Sequence, residues 1–378
     1  SPDRFGIMKP GRKAGLFSVA VFAIVRFVNF ASDNWAGAHP DILNAVLRAN
    51  VGAAPAYGGD ELTKRVERKF SDLFERDVAV FFVATGGAAN SLALSQICPP
   101  WGMILCHQES HIQMDECGAP EFFTGGAKLL PMEGDAAKLT AHAVTQVLKG
   151  FPDRPPHGMP ASALSITQAS ECGAVYTVDE VKALGRVATD NNLKFHMDGA
   201  RFANAVATLQ CAPADITWKA GVDVLSFGGT KNGCLIAEAV VFFNPEEAKD
   251  FIFRRKRAAQ LFSKMRFVSA QFDAYLADDL WLVMARHANA MAKKLSEGLA
   301  DVGCEIWYPT EANEVFVSFP PGVEEKLAAA GAAFYPWATP GDPAGGTMRR
   351  LICSWATREE EVERFIAVAR GQGASRLP

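Results

Sequence analysis

The sequence predicts an α/β protein: a mainly parallel sheet sandwiched by helices, with a smaller α+β region at the C-terminal end. Three observations lead there. Apolar runs of strand length alternate with amphipathic segments of helix length, the pattern of a sheet covered on both faces. Turns that are polar or rich in glycine, TGGAAN (85–90), QASECG (168–173) and DGAR (198–201), follow the strand-like runs, where ligands of such sheets sit. Beyond a long helical stretch ending near residue 299 the pattern changes to short segments of alternating polarity, which suit a small antiparallel sheet. The 378 residues also exceed the roughly 250–300 at which a single core stops growing. The expected organisation is an N-terminal segment (1–28), a large domain (29–275) and a small C-terminal domain (276–378).

In chain order, Arg12 and Lys13 precede residues of low polarity (14–25) and then Arg26, the profile of a weak signal-peptide core or of an arm packing on a partner subunit. The run is too short to span a bilayer. Past NFASDN (29–34) a helix is expected over Pro40–Ala49, and small residues then lead to AYGGDE (56–61), a linker or the rim of a site. Leu62, Val66, Phe70 and Leu73 or Phe74 recur at helical spacing over 61–75, which is core packing with no chemistry implied. AVFFV (79–83) reads as a buried strand, TGGAAN as its turn and 91–97 as an apolar helix. Strand, glycine turn and helix can hold an anion such as phosphate on backbone N–H groups, although Gly-Gly before a helix is often only a tight turn. A strand at 103–106 leads to a loop carrying His107 and His111, exposed histidines unless one lies flat on a cofactor ring.

A Pro-rich passage (151–160) precedes a strand at 163–167 and QASECG. Thr177 and Glu180 form a capping box for a helix that turns Val181, Leu184, Val187 and Ala188 inward, and Asn191-Asn192 stops it before a strand at 194–197. A further strand (238–243) is followed by the basic segment FRRKRAAQLFSKMR (253–266), a solvated face or a source of a cation for a neighbouring active site. One long helical stretch (273–299) bridges to the small domain, whose strands are expected at 305–308, 314–319 and 351–355, with Arg349 and Arg350 at the head of the last.

Composition narrows the class. With 49% hydrophobic and 21% charged residues the chain is an ordinary globular protein, and its net charge of -4 gives no basic surplus for nucleic acid. The eight cysteines show neither a CxxC pair nor framework spacing, so reduced thiols, a cytoplasmic location and no metal site are expected.

The chemistry concentrates in residues 195–233. FHMDGAR and LSFGGTKNG each read as a strand delivering one charged residue, Asp198 and Lys231, into one pocket. A carboxylate that keeps a pyridine nitrogen protonated and an amine that forms an imine are the two groups a pyridoxal phosphate enzyme needs. Either piece alone is commonplace, since Asp-Gly after a strand is a turn and a lysine in a Gly-rich loop is usually solvated. Gly228 and Gly229 are expected to let backbone approach a ligand, with Thr230 beside the lysine.

SDN, AYGGDE, TGGAAN, HMDGARFANA, SFGGTKNG and RRLICSW, in this order and at these separations, resemble the low-specificity threonine aldolases. These belong to the threonine aldolase and β-eliminating lyase group of fold-type I pyridoxal phosphate enzymes. The likeness runs from about Asn29 to the end of the chain. It implies that Lys231 holds the cofactor through an imine, Asp198 pairs with its ring nitrogen, and Gly86, Gly87 and Ala88 bind its phosphate, with Thr230 a further contact. His111 would stack on the ring, and Arg350, with Ser32 and Arg201, would take the substrate carboxylate. Tyr57 would reach into a neighbouring subunit, in a homodimer or homotetramer with shared active sites. The implied reaction cleaves the Cα–Cβ bond of threonine, allo-threonine or related β-hydroxy amino acids such as phenylserine, giving glycine and an aldehyde. A base must then take the hydroxyl proton. Many relatives carry a histidine where this chain has Glu171, so Glu171 or His111 could act, or Glu171 could merely cap its turn. The same lysine and aspartate would also serve β-elimination or transamination, and a non-catalytic relative would share the fold.

Overall fold

The computed structural model describes residues 28–151, 154–338 and 346–372, and the segment 14–25 lies outside the described residues. The described chain opens with β1 (Val28–Asn29), α1 (Pro40–Ala49) and α2 (Glu61–Leu73). Both helices start on a side-chain cap, His39 accepting from the Asp41 amide and Asp60 from the Thr63 amide. Each cap satisfies a donor for which the first turn has no acceptor.

The large sheet follows. Its first half comprises β2 (Ala79–Val83), α3 (Gly86–Ile97), β3 (Met103–His107), the short helices α4 (His111–Met114) and α5 (Ala119–Thr124), and β4 (Lys128–Met132). Its second half runs through α6 (Ala141–Gly150), β5 (Ala161–Thr167), α7 (Val178–Asp190), β6 (Lys194–Gly199), α8 (Phe202–Leu209), β7 (Val224–Gly228) and β8 (Glu238–Phe242). The seven strands lie in the order β2-β8-β7-β6-β5-β3-β4, and β8 alone runs antiparallel to its neighbours. The mainly parallel sheet expected from the sequence is therefore present. β4 is an addition to it. Its Pro131 reads as a strand breaker, but β4 pairs only with β3, and an edge tolerates a residue without an N–H.

His107 closes β3 and is buried against the Gly134 carbonyl at 3.0 Å, rather than lying in a loop. The capping box on α7 forms as expected, with the Glu180 amide donating to Thr177 Oγ1 and the Thr177 amide to Glu180. Beneath the carboxyl end of β7 the core is aromatic. Phe227 packs against Phe70 at 5.2 Å and Trp281 at 5.9 Å between ring centroids, which fixes the strand end just before Lys231.

Next come α9 (Phe251–Arg257), α10 (Arg266–Tyr275) and α11 (Leu280–Ala300). The single helical stretch expected over 273–299 is broken, because Asp278 and Asp279 take left-handed φ of 50° and 54°, which short acidic side chains tolerate. α11 joins two cores: Met284 and Ala285 pack in the large one, Ala292, Leu295 and Leu299 in the small one with Val28 and Phe30. The small layer adds β9 (Glu305–Ile306), β10 (Glu314–Ser318), α12 (Val323–Ala329), β11 (Ala332–Ala333), β12 (Tyr335–Pro336), β13 (Met348–Ile352) and α13 (Glu359–Ala369). β12, β13, β10 and β9 form an antiparallel sheet, and β11 pairs with β1. β13 starts earlier than the expected 351–355, so Arg349 and Arg350 lie within it, Arg350 opposite Phe316. Pairing with β10 outweighs the weak strand propensity of two arginines.

Candidate active site

A cavity of about 680 Å³ opens at the carboxyl edge of the parallel strands. Ser32, Gly86, Gly87, His111, Glu171, Asp198, Arg201, Thr230, Lys231 and Arg350 all line it. Ala88 lines an adjoining cavity instead. Tyr57 lines neither; it stands exposed with Lys256 5.3 Å from its ring centre.

The inner wall is built by β6 and the first turn of α3. Asp198 is buried; its Oδ1 accepts from the Ala200 amide at 2.9 Å and its Oδ2 from Asn90 Nδ2 at 2.7 Å. Two residues earlier on the same face, His196 lies between Ser165 and Ser226, and burial pushes its pKa down to about 4, so the network below Asp198 is neutral. α3 begins at Gly86, with Thr85 Oγ1 accepting from the Ala88 amide at 3.1 Å. The Ala88 N–H is therefore already engaged, whereas Gly86 and Gly87 bring first-turn amides that the helix itself leaves open. A Cβ at Gly86 would meet no other protein atom within 4 Å, so that position faces open space.

Lys231 sits in a 3-10 turn after β7. Asn232 anchors the turn by donating to Tyr275 at 2.8 Å and to the Trp281 carbonyl at 2.9 Å. Gly228 and Gly229 have a different role from the one the sequence suggested. Cβ atoms there would lie 2.6 Å from the Ala200 carbonyl oxygen and 2.7 Å from that of Ala237, so these glycines let the chain pass its own backbone. Burial pushes the Lys231 pKa down and the Arg201 charge adds to this, with Asp33 and Asp198 only partly opposing. A lowered pKa favours the neutral amine needed for attack on a carbonyl.

At the outer end two arginines differ sharply. Arg201, just after β6, donates to both Asp33 oxygens at 2.9 and 3.3 Å and lies 3.3 Å from Glu314. Burial opposes its charge, but Asp33 and Glu314 hold its pKa above the ordinary value. Arg350 comes no nearer than 4.0 Å to Glu314, lies 4.3 Å from the Trp337 ring centre, and keeps a buried Nε without a partner. Burial lowers its pKa. Arg350 is thus the arginine with donors open to a ligand.

Glu171 also lines the cavity. Its Oε1 accepts from Thr167 Oγ1 at 2.7 Å and from the His111 amide at 3.0 Å, while its buried Oε2 has no partner. Burial pushes its pKa up to about 7, and Asp198 adds to the shift. At neutral pH it can accept or release a proton.

Sequence reasoning passed over Asn90, Glu116, Asp33, Glu314, Trp337 and Glu238. Asn90 and Asp33 stood inside motifs already singled out, TGGAAN and SDN, and Glu314 was a charge opening an otherwise apolar strand. Glu238, buried at the head of β8, accepts from the Thr230 amide at 3.3 Å, and burial pushes its pKa to about 7. Nothing in sequence spacing signalled that Glu116 would meet Asn90 and His111.

A lysine turn and an aspartate at the carboxyl ends of adjacent parallel strands, under a smaller antiparallel layer, define the fold-type I class of pyridoxal phosphate-dependent enzymes. Within that class the chain belongs to the Beta-eliminating lyase family, whose model matches residues 29–320. It is 45% identical over 342 residues to a low specificity L-threonine aldolase of a Pseudomonas species, spanning 90% of this chain and 96% of that protein. A Pseudomonas aeruginosa protein of the same description is 44% identical over the same shares. Among solved structures, a Leishmania major threonine aldolase superposes with a TM-score of 0.84 at 28% identity, covering 91% of this chain and 98% of that one. A Thermus thermophilus aspartate aminotransferase, at 18% identity and a TM-score of 0.67, shares the fold.

Proposed function

We propose that this lyase binds pyridoxal phosphate and cleaves β-hydroxy-α-amino acids, threonine and allo-threonine among them, to glycine and an aldehyde. The observation that carries the reading is the convergence of Asp198, Lys231 and the open first turn of α3 on one cavity, whose outer end presents an arginine with a buried, unpartnered Nε and a carboxylate oxygen without a hydrogen-bond partner. These residues fit the cofactor. Lys231 would hold it covalently, Asp198 would face its ring nitrogen, and His111 would lie against its ring. The amides of Gly86 and Gly87, with Thr230, would take its phosphate, a Cβ at Gly86 meeting no other protein atom within 4 Å. Bound there, the cofactor supplies an electron sink for the pair released when Cα–Cβ breaks.

The remaining work falls to side chains already in place. Arg350 takes the substrate carboxylate with Ser32, and Arg201, held by Asp33, forms the wall behind it. Fixing the carboxylate sets which bond at Cα stands ready to break. Glu171 Oε2, buried and unpaired, accepts the β-hydroxyl proton as that bond opens, and Thr167 and the His111 amide hold the carboxylate in place through Oε1. Tyr57, exposed outside its own chain's cavity, supports a homo-oligomer in which it completes a neighbouring site. The eight free cysteines support a cytoplasmic enzyme.

The test is product analysis. Threonine, allo-threonine and phenylserine are expected to yield glycine plus the matching aldehyde. Pyruvate or ammonia released faster from serine or cysteine would replace the aldolase reading with β-elimination.

A further inference from the structure

We propose that Glu116 is a positioning residue of this site, fixing the imidazole of His111 and, through Asn90, the carboxylate of Asp198. The proposal deepens the cofactor-site reading above and rests on it. Three hydrogen bonds meet at this one side chain. Glu116 Oε1 accepts from His111 Nδ1 at 2.9 Å and from Asn90 Nδ2 at 2.8 Å, and Oε2 accepts from Ser91 Oγ at 3.3 Å. The same Asn90 nitrogen reaches Asp198 Oδ2 at 2.7 Å. An amide nitrogen has two hydrogens, so Asn90 spans both carboxylates by giving one to each. The result is a continuous link from His111 at the start of α4, through Glu116 and Asn90 on α3, to Asp198 on β6.

Each bond has a directional consequence. A carboxylate on Nδ1 makes that nitrogen the donor, which sets both the tautomer and the ring plane and leaves Nε2 as the nitrogen able to accept. Held from behind by Glu116, Asn90 aims its second hydrogen at Asp198, whose other oxygen the Ala200 amide already fixes. The Glu116 side chain is only 2% exposed, so water does not screen its charge or compete for its bonds. It also lies under the α3 turn, where a Cβ built on Gly87 would come 3.6 Å from its carboxyl carbon. One buried acid thus braces the His111 ring directly and Asp198 through Asn90, and lies close beneath Gly87. Removing a partner that orients a functional group in this way characteristically weakens the site without deleting any group that touches its ligand.

The test uses the whole chain, with and without added pyridoxal phosphate. Glu116→Gln preserves size and removes charge. With nitrogen-15-labelled histidine, and the His111 signals assigned by their loss in His111→Phe, the His111 ring titration without cofactor is expected to move down toward the ordinary imidazole value, because Glu116 is what raises it. Asp198 also favours the charged ring, Lys231 opposes it and Glu171 holds the His111 amide, so part of the effect remains. Asn90→Ala removes the bridge together with a side chain that itself lines the cavity; it keeps the Glu116 carboxylate on His111 Nδ1, so the His111 titration should stay in place while pyridoxal phosphate binding weakens roughly tenfold. An unchanged His111 titration in folded Glu116→Gln overturns the proposal, as does wild-type cofactor affinity in Asn90→Ala. Should Glu116→Gln not fold, Glu116→Asp withdraws the carboxylate from Nδ1 and is judged by the same titration. A wild-type chain that binds no pyridoxal phosphate overturns the site reading instead, which the cofactor-free titration distinguishes.

Discussion

The two ends of the cavity treat their polar atoms in opposite ways. At the inner end His111, Glu116, Asn90 and Asp198 are bonded to one another, and Asn90 Oδ1 is the one buried side-chain atom of this group without a partner among the described residues. At the outer end Glu171 Oε2, Arg350 Nε and Trp337 Nε1 are buried and lack hydrogen-bond partners, while the Glu314 oxygens meet only ion pairs, with Arg201 at 3.3 Å and Arg350 at 4.0 Å. Each such atom costs about 1–3 kcal/mol if nothing pairs with it. A network closed on itself suits a permanent occupant whose ring must be held in one orientation. Open donors and acceptors suit a ligand that arrives and leaves, and that carries a carboxylate and a hydroxyl to fill them.

The comparison can be broken most severely at its centre. Lys231→Ala should abolish turnover and remove the visible absorption that pyridoxal phosphate acquires on binding the wild-type protein; a retained band would free Lys231 from the covalent role. Next in size, Glu171→Gln should lower turnover by at least about a hundredfold while cofactor binding persists. As a base Glu171 must be ionised, so wild-type kcat/KM should climb toward about pH 7 and then level, and the variant should lose that acidic limb. The linked stability has the opposite sense. The folded carboxyl keeps its proton up to about 7 whereas the unfolded one loses it near 4.5, so this stabilisation is present below 4.5 and gone above 7. Glu171→Gln should flatten that decline in a series of thermal melts.

A smaller effect belongs to Arg350. Arg350→Leu should raise KM by about ten- to a hundredfold, the loss of a hydrogen-bonded charge, with cofactor affinity unchanged. Equal damage to cofactor binding would mean that the two ends are not separable. The smallest change lies outside both: Thr177→Ala removes the α7 cap and should cost about 1 kcal/mol in denaturant melts, leaving both ends of the site as they were.

The sheet was legible in the sequence wherever burial on both faces wrote a mostly apolar run, as in β3 and β8. Helix starts were legible where a cap is local, at Pro40 and Thr177. Two of the edge strands were not. β4 hides behind Pro131, and β12 is two residues long, because an edge is specified by one neighbour and little burial. The break before α11 was equally hidden, since two consecutive left-handed aspartates leave no mark on hydrophobic spacing.

For the site, sequence alone determined which residue types stand at the carboxyl ends of successive strands, because the alternation of strand and turn is local. Asp198, Lys231 and the Gly86 turn could be placed together on that ground. Tertiary structure decided which charges are answered and which are left open. Arg201 and Arg350 look alike in sequence, yet Asp33, far earlier in the chain, closes one, while the other keeps a buried Nε without a hydrogen-bond partner. Glu116 gains its place only when α3, α4 and β6 converge. Hydrogen bonds between distant elements depend on angstrom-scale packing, and no residue spacing along the chain records that.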